Sequence, residues 1–570
     1  MSAKPIPYGL ADYKSLIEEG YAYVDKTMYI RTLEQAGIYH LFLRPRRFGK
    51  SLFASMLGYY YDISEKDNFD LLFSNTYIGQ NPTKRKNTYY ILQFNFSGIR
   101  TDSPEIMFES FTRNIHNALR TFCATYHLDI PLEMISPEAQ LSTFFTEFRV
   151  RCNGKIYVII DEYDKFANEL LAANPSVFEG VVSKDGFVRT WYEVLKRVAG
   201  TIVERIFITG VSPITLDSLT SGFNIAKNLS MRGGFNEMMG FTKTEVEYLM
   251  KETIPEDLPF DLMDTLTDYY NGYCFSKDGK ERVFNSDMVL YYLDYYQQEH
   301  KPPDQLLDRN AVSDYGKLEK LIAFQNPERN REILKEIVFD GYTTSKLVDS
   351  FSIGQEFEEE HFKSLLFYLG LLTIKETERR RVRLQIPNLV MMGLYADFLR
   401  KIIAKETNYV PKRNEIEEAM EQLAYENKIE NFIALIEGLL QSISNLDYRN
   451  FDEKYIKLAM FAYAEISDLY LIKSEYEVEG GGYIDLVFFP QTDMPELDTL
   501  LFELKYIKKE DASKETIEAK RSEALKQLIE YSSAKEFSKK KVTAWALVFA
   551  KDECVERICL PSSSRATRMH

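Results

Sequence analysis

Short apolar runs alternate with longer, helix-like stretches in the N-terminal part of the chain. The runs at 39–43, 89–96, 155–160 and 205–211 are rich in apolar residues, and segments with apolar residues at helical spacing separate them, as from Pro104 to Tyr126. A nearly continuous apolar run of this length is typical of a strand that is buried on both faces. The alternation therefore predicts an α/β protein with a parallel sheet between layers of helices.

A candidate phosphate-binding loop follows the first run. The turn after it ends in Gly49, Lys50 and Ser51, and apolar residues then return at helical spacing. A strand, a turn ending in Gly-Lys-Ser and a helix make up a P-loop, in which the helix N-terminus binds phosphate, Lys50 reaches the terminal phosphates and Ser51 ligates Mg²⁺. The predicted ATP-binding residues of this loop are Arg46, Arg47, Phe48, Gly49, Lys50, Ser51 and Leu52.

The loop departs from the usual P-loop at its start. Arg44 and Pro45 stand in the region where the first glycine is expected, and Pro45 has no N–H group to donate. Gly-Lys-Ser alone is equally compatible with a solvated turn before an ordinary helix. The assignment therefore depends on residues farther along the chain.

The third apolar run ends in two carboxylates, Asp161 and Glu162. Because parallel strands bring their carboxyl ends to one edge of the sheet, we expect Asp161 to hold Mg²⁺ beside the P-loop and Glu162 to polarise the attacking water. The alternative is that these charges only mark the end of a strand. Thr209 and Ser212 end the next run, where a polar group either senses the γ-phosphate or caps a turn.

Length, net charge, cysteine spacing and the length of the apolar runs limit the kinds of protein that this sequence can encode. A chain of 570 residues is too long for one core, so several domains are expected. A net charge of −16 argues against nonspecific coating of nucleic acid, although it leaves room for a local basic cleft. The five cysteines form no C-x-x-C pair, which favours free thiols, and no apolar run approaches 18 residues. We therefore expect a cytoplasmic protein without a membrane partner.

The string R-P-R-R-F-G-K-S at 44–51 resembles the signature of AAA-ATPase-like proteins that are often fused to a PD-(D/E)XK nuclease-like C-terminus. The resemblance spans most of the chain and implies that the missing first glycine is the family's own pattern. It also implies a multidomain α/β fold, with a P-loop (ASCE/AAA-like) core, a helical lid, a winged-helix-like middle and a PD-(D/E)XK-like domain. Further strings that resemble the family lie at 23–27, 210–214, 223–225 and 270–273.

The predicted domain boundaries follow from this resemblance and from shifts in composition. The domains are 1–235 for the ATPase core, 236–300 for the lid, 301–410 for a linker and winged-helix-like domain, and 411–570 for the nuclease-like domain. Thr242 is expected to cap the first lid helix, and Asp25 to cap a helix over 26–35. Arg379, Arg380 and Arg381 lie at the tip of a predicted hairpin, which either touches phosphates as a basic wing or is simply solvated.

The C-terminal part carries a second constellation of charged residues. Asp485 begins a strand after a glycine-rich turn, and Glu503 and Lys505 are two residues apart on the next strand, so they share one face. An Asp followed by E-x-K on a neighbouring strand is the arrangement of the PD-(D/E)XK site. Asp485 and Glu503 would share Mg²⁺, and Lys505 would orient or deprotonate the attacking water. The alternative is a surface ion pair.

Gln527 and Tyr531 lie four residues apart on a predicted helix and so share one of its faces. They resemble the Q-x-x-x-Y element that follows E-x-K in some branches of the nuclease superfamily, which implies a role in catalysis. A second acid is expected on the helix before the sheet, with Glu465 as the candidate.

These observations predict an ATPase whose P-loop module, with ATP and Mg²⁺ as cofactors, controls a Mg²⁺-dependent endonuclease. Nucleic acid, DNA or RNA, is the expected partner, and homo-oligomerisation stays open. The alternative is a nucleotide-switched scaffold that binds nucleic acid or protein and has an inactive nuclease-like domain.

Overall fold

The computed structural model divides the chain into two compact units. The first comprises Met1–Pro327 and Thr344–Asn388, and the second comprises Glu328–Thr343 and Leu389–His570. The structure describes residues 3–166, 186–213, 225–254, 262–303, 305–306, 322, 326–350, 358–442, 453–478, 481–491, 494–538 and 540–560. The family-like strings at 210–214 and 223–225 lie partly outside these residues. The boundaries between the four predicted domains stay a prediction.

The first unit is built on a five-stranded sheet. Its strands are β1 (Tyr39–Leu43), β2 (Tyr89–Asn95), β3 (Lys155–Asp161), β4 (Val203–Gly210) and β5 (Lys227–Asn228). Their order is β2-β3-β4-β1-β5, and all neighbouring pairs are parallel. The predicted parallel sheet is therefore confirmed. Strand β4 separates β1, which precedes the Gly-Lys-Ser turn, from β3, which ends in Asp161.

Helices cover the sheet of the first unit. Among the described residues, the helices of this unit up to residue 327 are α1 (Tyr13–Glu18), α2 (Tyr29–Ala36), α3 (Lys50–Tyr61), α4 (Phe69–Phe73), α5 (Tyr77–Gln80), α6 (Pro104–Thr125), α7 (Pro137–Arg151), α8 (Phe187–Val198), α9 (Lys243–Thr253), α10 (Leu262–Tyr270) and α11 (Ser286–Glu299). The next helix, α12 (Pro327–Asp340), belongs to the second unit except for its first residue. Trp191 of α8 packs edge-on against Phe94, Phe96 and Phe111, so aromatic rings fill the layer between α6, α8 and β2. The apolar run of β3 is buried throughout, which explains why the sequence lacks strand-like alternation there.

Of the two predicted helix caps, the one at Thr242 is present and the one at Asp25 is not. Thr242 caps α9 and forms a reciprocal capping box with Glu245, as predicted. Asp25 does not cap α2, because that helix starts at Tyr29. Its carboxylate instead accepts hydrogen bonds from the backbone N–H groups of Thr27 and Tyr77, and so fixes the loop that precedes the helix.

The predicted winged-helix residues are divided between the two units, since α12 falls almost entirely in the second. The other described elements of this predicted region include α13 (Glu359–Tyr368) and a hairpin of two strands, β7 (Thr373–Glu378) and β8 (Arg381–Gln385). A short strand, β6 (Thr343–Ser345), pairs with β8 and completes a three-stranded sheet in the order β6-β8-β7. Only Arg379 and Arg380 of the three predicted tip arginines lie between the strands, because Arg381 begins β8. Arg381 lies 3.8 Å from a carboxylate oxygen of Glu360, so glutamate offsets part of the hairpin's positive charge. A winged-helix function stays a prediction.

The second unit joins helices to a mixed sheet. Its further elements are α14 (Leu389–Thr407), α15 (Arg413–Glu426), α16 (Glu430–Ser442), α17 (Glu453–Ala464), β9 (Tyr470–Glu477), β10 (Tyr483–Pro490), β11 (Thr499–Ile507), α18 (Lys514–Ser532), β12 (Val542–Ala550) and β13 (Glu553–Leu560). The order is β13-β12-β11-β10-β9, and only β11 and β12 are parallel among these neighbours. Helix α18 connects that parallel pair and packs on it through Ala524 and Leu528. In the described parts of both units, no helix combines the length and the apolar character needed to cross a membrane.

Candidate functional site

The turn after β1 has the local geometry expected of a P-loop. Gly49 adopts a left-handed conformation with φ of 81° and precedes the first residue of α3, Lys50. Lys50 is 6% exposed, and its Nζ donates a hydrogen bond of 2.8 Å to the carbonyl of Pro45. Burial lowers the pKa of Lys50, whereas the charges of Glu162 and Asp161 raise it. The ammonium thus lies inside the loop, close to the two carboxylates that end β3.

The predicted Mg²⁺-binding pair comes together although a strand separates β1 from β3. Ser51 Oγ donates to Asp161 Oδ2 at 2.7 Å, and Asn95 Nδ2 lies 3.4 Å from the same oxygen. Asp161 is 2% exposed, and burial raises its pKa. The loop at the end of β1 and the acid at the end of β3 therefore form one site.

Glu162 lies beside this pair with an unusual backbone. Its φ of 52° is left-handed, a conformation that non-glycine residues adopt rarely and often at functional sites. Its Oε2 lies 3.4 Å from Lys165 Nζ. The side chain predicted to polarise water thus faces a lysine of the same turn.

Ser212 is engaged by an acid that the sequence did not single out. Both its N–H and its hydroxyl donate to Asp164 Oδ2, at 2.7 and 3.1 Å, and its carbonyl accepts from Tyr163. These contacts are those of turn capping, and phosphate sensing by Ser212 stays a prediction. Thr209, which is fully buried, has a hydroxyl without a hydrogen-bond partner.

Arg44, the first residue of the R-P-R-R-F-G-K-S string, is structural. Its guanidinium is buried between the rings of Phe42 and Phe275, each centroid 4.3 Å away, and donates to the carbonyls of Ser230 and Phe235. Burial lowers its pKa to about 9. Since three of these groups come from distant parts of the chain, Arg44 fixes the start of the loop to the core.

Arg47 connects the loop to α11. Its guanidinium lies 2.5 Å from Asp287, and its carbonyl accepts from the Ser286 hydroxyl and the Asp287 N–H. The neighbouring Phe48 is buried edge-on against Tyr273. The loop and the first turn of α11 are therefore one hydrogen-bonded structure.

A cavity of about 370 Å³ opens at this loop. Arg46, Lys50, Ser51, Leu52 and Glu162 line one part of it. Further residues that line it, most of them apolar, include Leu10, Val24, Met238, Met239 and Leu249. Its volume lies within the range of small-molecule pockets, and its polar and apolar portions suit a ligand with a charged and an apolar end.

In the second unit, Glu503 and Lys505 form a buried pair. Lys505 Nζ donates to Glu503 Oε1 at 2.9 Å, and Glu503 is 2% exposed. Its other oxygen, Oε2, is buried without a hydrogen-bond partner. Burial, with the charge of Asp485 as the next cause, raises the pKa of Glu503 to about 8. The surface ion pair considered above is excluded by this burial.

Asp485 joins this pair where two strands diverge. The β10–β11 ladder ends at Leu486 and Phe502, and Asp485 Oδ2 then accepts a hydrogen bond of 2.7 Å from the N–H of Leu504. Because Asp485 shifts the pKa values of both Glu503 and Lys505, all three predicted residues lie within electrostatic reach of one another.

Gln527 and Tyr531 of α18 lie beside the same site. Burial and the charge of Glu503 raise the pKa of Tyr531, which also shares a hydrogen bond with Gln527. Gln527 Oε1 is buried without a partner. Gly482, with φ of 106°, approaches so closely that a Cβ there would lie 2.8 Å from the Tyr531 ring. The absence of a side chain at residue 482 is thus required for this contact.

The acid on the preceding helix is Glu453. Burial and the charge of Asp485 raise its pKa, and Lys505 and Lys457 oppose this shift. Glu465, the residue expected from the sequence, lies elsewhere: its neighbours are Asp468 and Arg400, and burial raises its pKa to about 8. The i,i+4 spacing of Glu453 and Lys457 on α17 is the sequence signal that could have located both residues.

Comparison with known protein families also assigns the two sites to two different kinds of domain. Residues 7–220 match a family model described as a predicted AAA-ATPase, and residues 451–557 match the PD-(D/E)XK nuclease superfamily. The chain joins an AAA-ATPase-like domain to a PD-(D/E)XK nuclease superfamily domain. The resemblance found in the sequence is therefore confirmed.

A relative of this fusion is described as an uncharacterized protein in the vnfD 5′ region of Azotobacter chroococcum mcd 1. It is 26% identical over 407 residues, which cover 68% of this chain and 68% of the relative. Among solved structures, a chain of Drosophila ORC bound to poly(dA/dT) DNA and Cdc6 aligns with 9% identity and a TM-score of 0.23. That alignment covers 79% of this chain and 61% of that chain, so this protein spans less than two thirds of its length. A second ORC structure, with GC-rich DNA and Cdc6, aligns with 10% identity and a TM-score of 0.23.

Proposed function

We propose that the AAA-ATPase-like domain binds and hydrolyses ATP and thereby controls a Mg²⁺-dependent endonuclease in the C-terminal domain, which cleaves phosphodiesters of nucleic acid. The observation that carries the proposal is the pair of charged sites, one in each unit, each containing a lysine beside two acidic side chains. A lysine and acids around a cation suit both triphosphate hydrolysis and phosphodiester cleavage.

In the ATPase half, the residues of the loop bind and orient the nucleotide. Lys50 exchanges its hydrogen bond with the Pro45 carbonyl for a phosphate oxygen, and the N-terminal N–H groups of α3 hold the phosphates. Ser51 and Asp161 fit a Mg²⁺ ion, because their oxygens already lie 2.7 Å apart in a buried site. Glu162 orients the attacking water.

In the nuclease half, the donor set fits a divalent cation. Glu503 Oε2 is buried without a partner, and the pKa of this carboxyl is raised next to Asp485, so a cation would stabilise the ionised pair. Asp485 and Glu503 would hold Mg²⁺, which supplies Lewis-acid activation of the scissile phosphate. Lys505 orients the attacking water and stabilises the charge that develops on the phosphate. Gln527 and Tyr531 bind the adjoining polar part of the substrate.

Cleavage of DNA and RNA in the presence of Mg²⁺ tests this proposal. Glu503→Ala and Lys505→Ala are each expected to reduce cleavage at least about a hundredfold, since each removes a charge from the site. Glu510→Ala, at an exposed glutamate of the same domain, is the matched control and should cleave like the wild type. Cleavage that persists unchanged in both site variants would contradict the nuclease assignment.

A second candidate is a nucleotide-switched scaffold whose nuclease-like domain cuts nothing. It is favoured by the ion pair between Asp485 and Lys457, which already engages one predicted Mg²⁺ ligand. In the described parts of the chain, no three His, Cys, Asp or Glu side chains are grouped closely enough to hold a metal ion. Absence of cleavage by the wild type, with ATP-dependent binding of nucleic acid retained, would favour this candidate.

A further inference from the structure

Lys457 of α17 is a second buried lysine at the nuclease site. Its side chain is 3% exposed, and its Nζ lies 2.6 Å from Asp485 Oδ1 and 2.5 Å from Glu475 Oε1. The ammonium also lies 4.7 Å from the centroid of the Phe339 ring. One buried cation is thus shared by two carboxylates from adjacent strands.

The register of the two strands brings these carboxylates close together, so a cation between them offsets their repulsion. The pairs Ile484–Tyr476 and Leu486–Ser474 flank Asp485 and Glu475, which places the two acids opposite each other in the β9–β10 ladder. Like charges in directly opposite positions destabilise a sheet. Glu475 in addition has a left-handed backbone, with φ of 49°, which is a strained conformation for this residue type.

We propose that Lys457 is a positioning residue that occupies Asp485 in the metal-free site and moves fully to Glu475 when a divalent cation binds. This inference depends on the proposed nuclease function, because it assumes that Asp485 is a metal ligand. Asp485 Oδ1 cannot serve a bound ammonium and a metal ion equally well, so the two cations compete for it. Glu475 gives the displaced ammonium a carboxylate partner, which avoids leaving a buried charge unpaired.

The competition predicts opposite effects of two substitutions on metal affinity. Lys457→Met removes the competing cation and should tighten binding of Mn²⁺ at least about tenfold. Glu475→Gln removes the alternative partner, keeps the ammonium on Asp485, and should weaken binding several-fold. A purely structural lysine would not give opposite shifts in these two variants.

The experiment is a calorimetric titration of the full-length protein with MnCl₂ in the absence of nucleotide and nucleic acid. The matched control is Lys454→Met, which removes the other lysine over the Phe339 ring and should leave the affinity within about twofold of the wild type. In an Asp485→Asn background, Lys457→Met should no longer tighten binding.

Unchanged or weaker Mn²⁺ binding by Lys457→Met overturns the inference, as does tightening that persists with Asp485→Asn. If Lys457→Met does not fold, Glu475→Gln decides the matter, and equal or tighter binding overturns the inference. Failure of the proposed function gives a different result, in which the wild type cleaves nothing while the two affinity shifts remain. Wild-type cleavage without the shifts means that only the inference fails.

Discussion

The two sites hold buried charge in different ways. In the P-loop, Lys50 donates to a carbonyl and Asp161 accepts from a hydroxyl, so both charges have neutral partners. In the nuclease-like domain, Lys505 contacts Glu503 and Lys457 contacts Asp485, so each charge has an ionic partner. A ligand at the first site would replace neutral hydrogen bonds, whereas a cation at the second would have to displace ion pairs. On the proposed function, the first site would accept an anion and a cation together without breaking an ion pair, whereas the second already contains its own counterions.

The most severe test of this comparison is Lys50→Ala. With its neutral partner, Lys50 is available to a triphosphate, and we expect its loss to weaken ATP binding at least about a hundredfold. Titration with a fluorescent ATP analogue measures the effect. Lys66→Ala, which changes an exposed lysine of the same unit, is the control. Equal affinity in Lys50→Ala and the wild type would contradict the P-loop assignment.

Glu162→Gln separates binding from hydrolysis. The substitution keeps the shape of the side chain but removes its charge, so steady-state ATP turnover should fall on the order of a hundredfold while nucleotide affinity stays within a few-fold of the wild type. Phosphate release and equilibrium binding are measured on the same preparation. A parallel loss of both quantities would assign Glu162 to binding instead.

Gly482→Ala tests how tightly the second site is packed. The added Cβ would lie 2.8 Å from the Tyr531 ring at a left-handed backbone, and we expect a loss of about 2–3 kcal/mol in the free energy of unfolding. Gly481→Ala is the matched control, because that glycine has a similar φ of 100° but no heavy atom within 4 Å of the added Cβ. It should lose only about 1 kcal/mol. Equal losses in urea denaturation would show that contact with Tyr531 does not matter.

His40 of β1 provides a pH test of the first unit. It is fully buried, and burial together with the charges of Arg205 and Lys227 lowers its pKa from 6.5 to about 4. Below pH 6.5 the unfolded chain therefore binds a proton that the folded chain excludes until about pH 4. The folded state should lose up to about 2 kcal/mol between pH 7 and pH 5 from this group alone. His40→Leu should flatten that part of the profile of melting temperature against pH, and an unchanged slope would contradict the prediction.

The predictions that the structure confirms came from short patterns of apolar and charged residues along the sequence. Strands β1 to β4 of the first sheet and β10 and β11 of the second are visible as apolar runs, and Asp161 and Glu503 are visible because charges interrupt or end such runs. Strands β5 and β13 are not, because β5 has only two residues, both polar, and β13 carries charged residues along much of its length. Arg44, Lys457 and Glu475 were not recognised, because their partners come from other segments and no spacing along the chain encodes them. The sequence pointed to Glu465 and did not single out Glu453 for the same reason: both are acids near an end of α17, and only the packed structure places Glu453 beside Asp485.

The link between Arg47 and α11 has a mechanical consequence. The main chain at residue 47 accepts two hydrogen bonds from the first turn of that helix, and the guanidinium holds its third contact there. If the loop binds a nucleotide as proposed, any movement of residue 47 toward the phosphates would be passed to α11 through these three contacts. Nucleotide occupancy and the position of one helix would then be coupled even without any contact between that helix and the ligand.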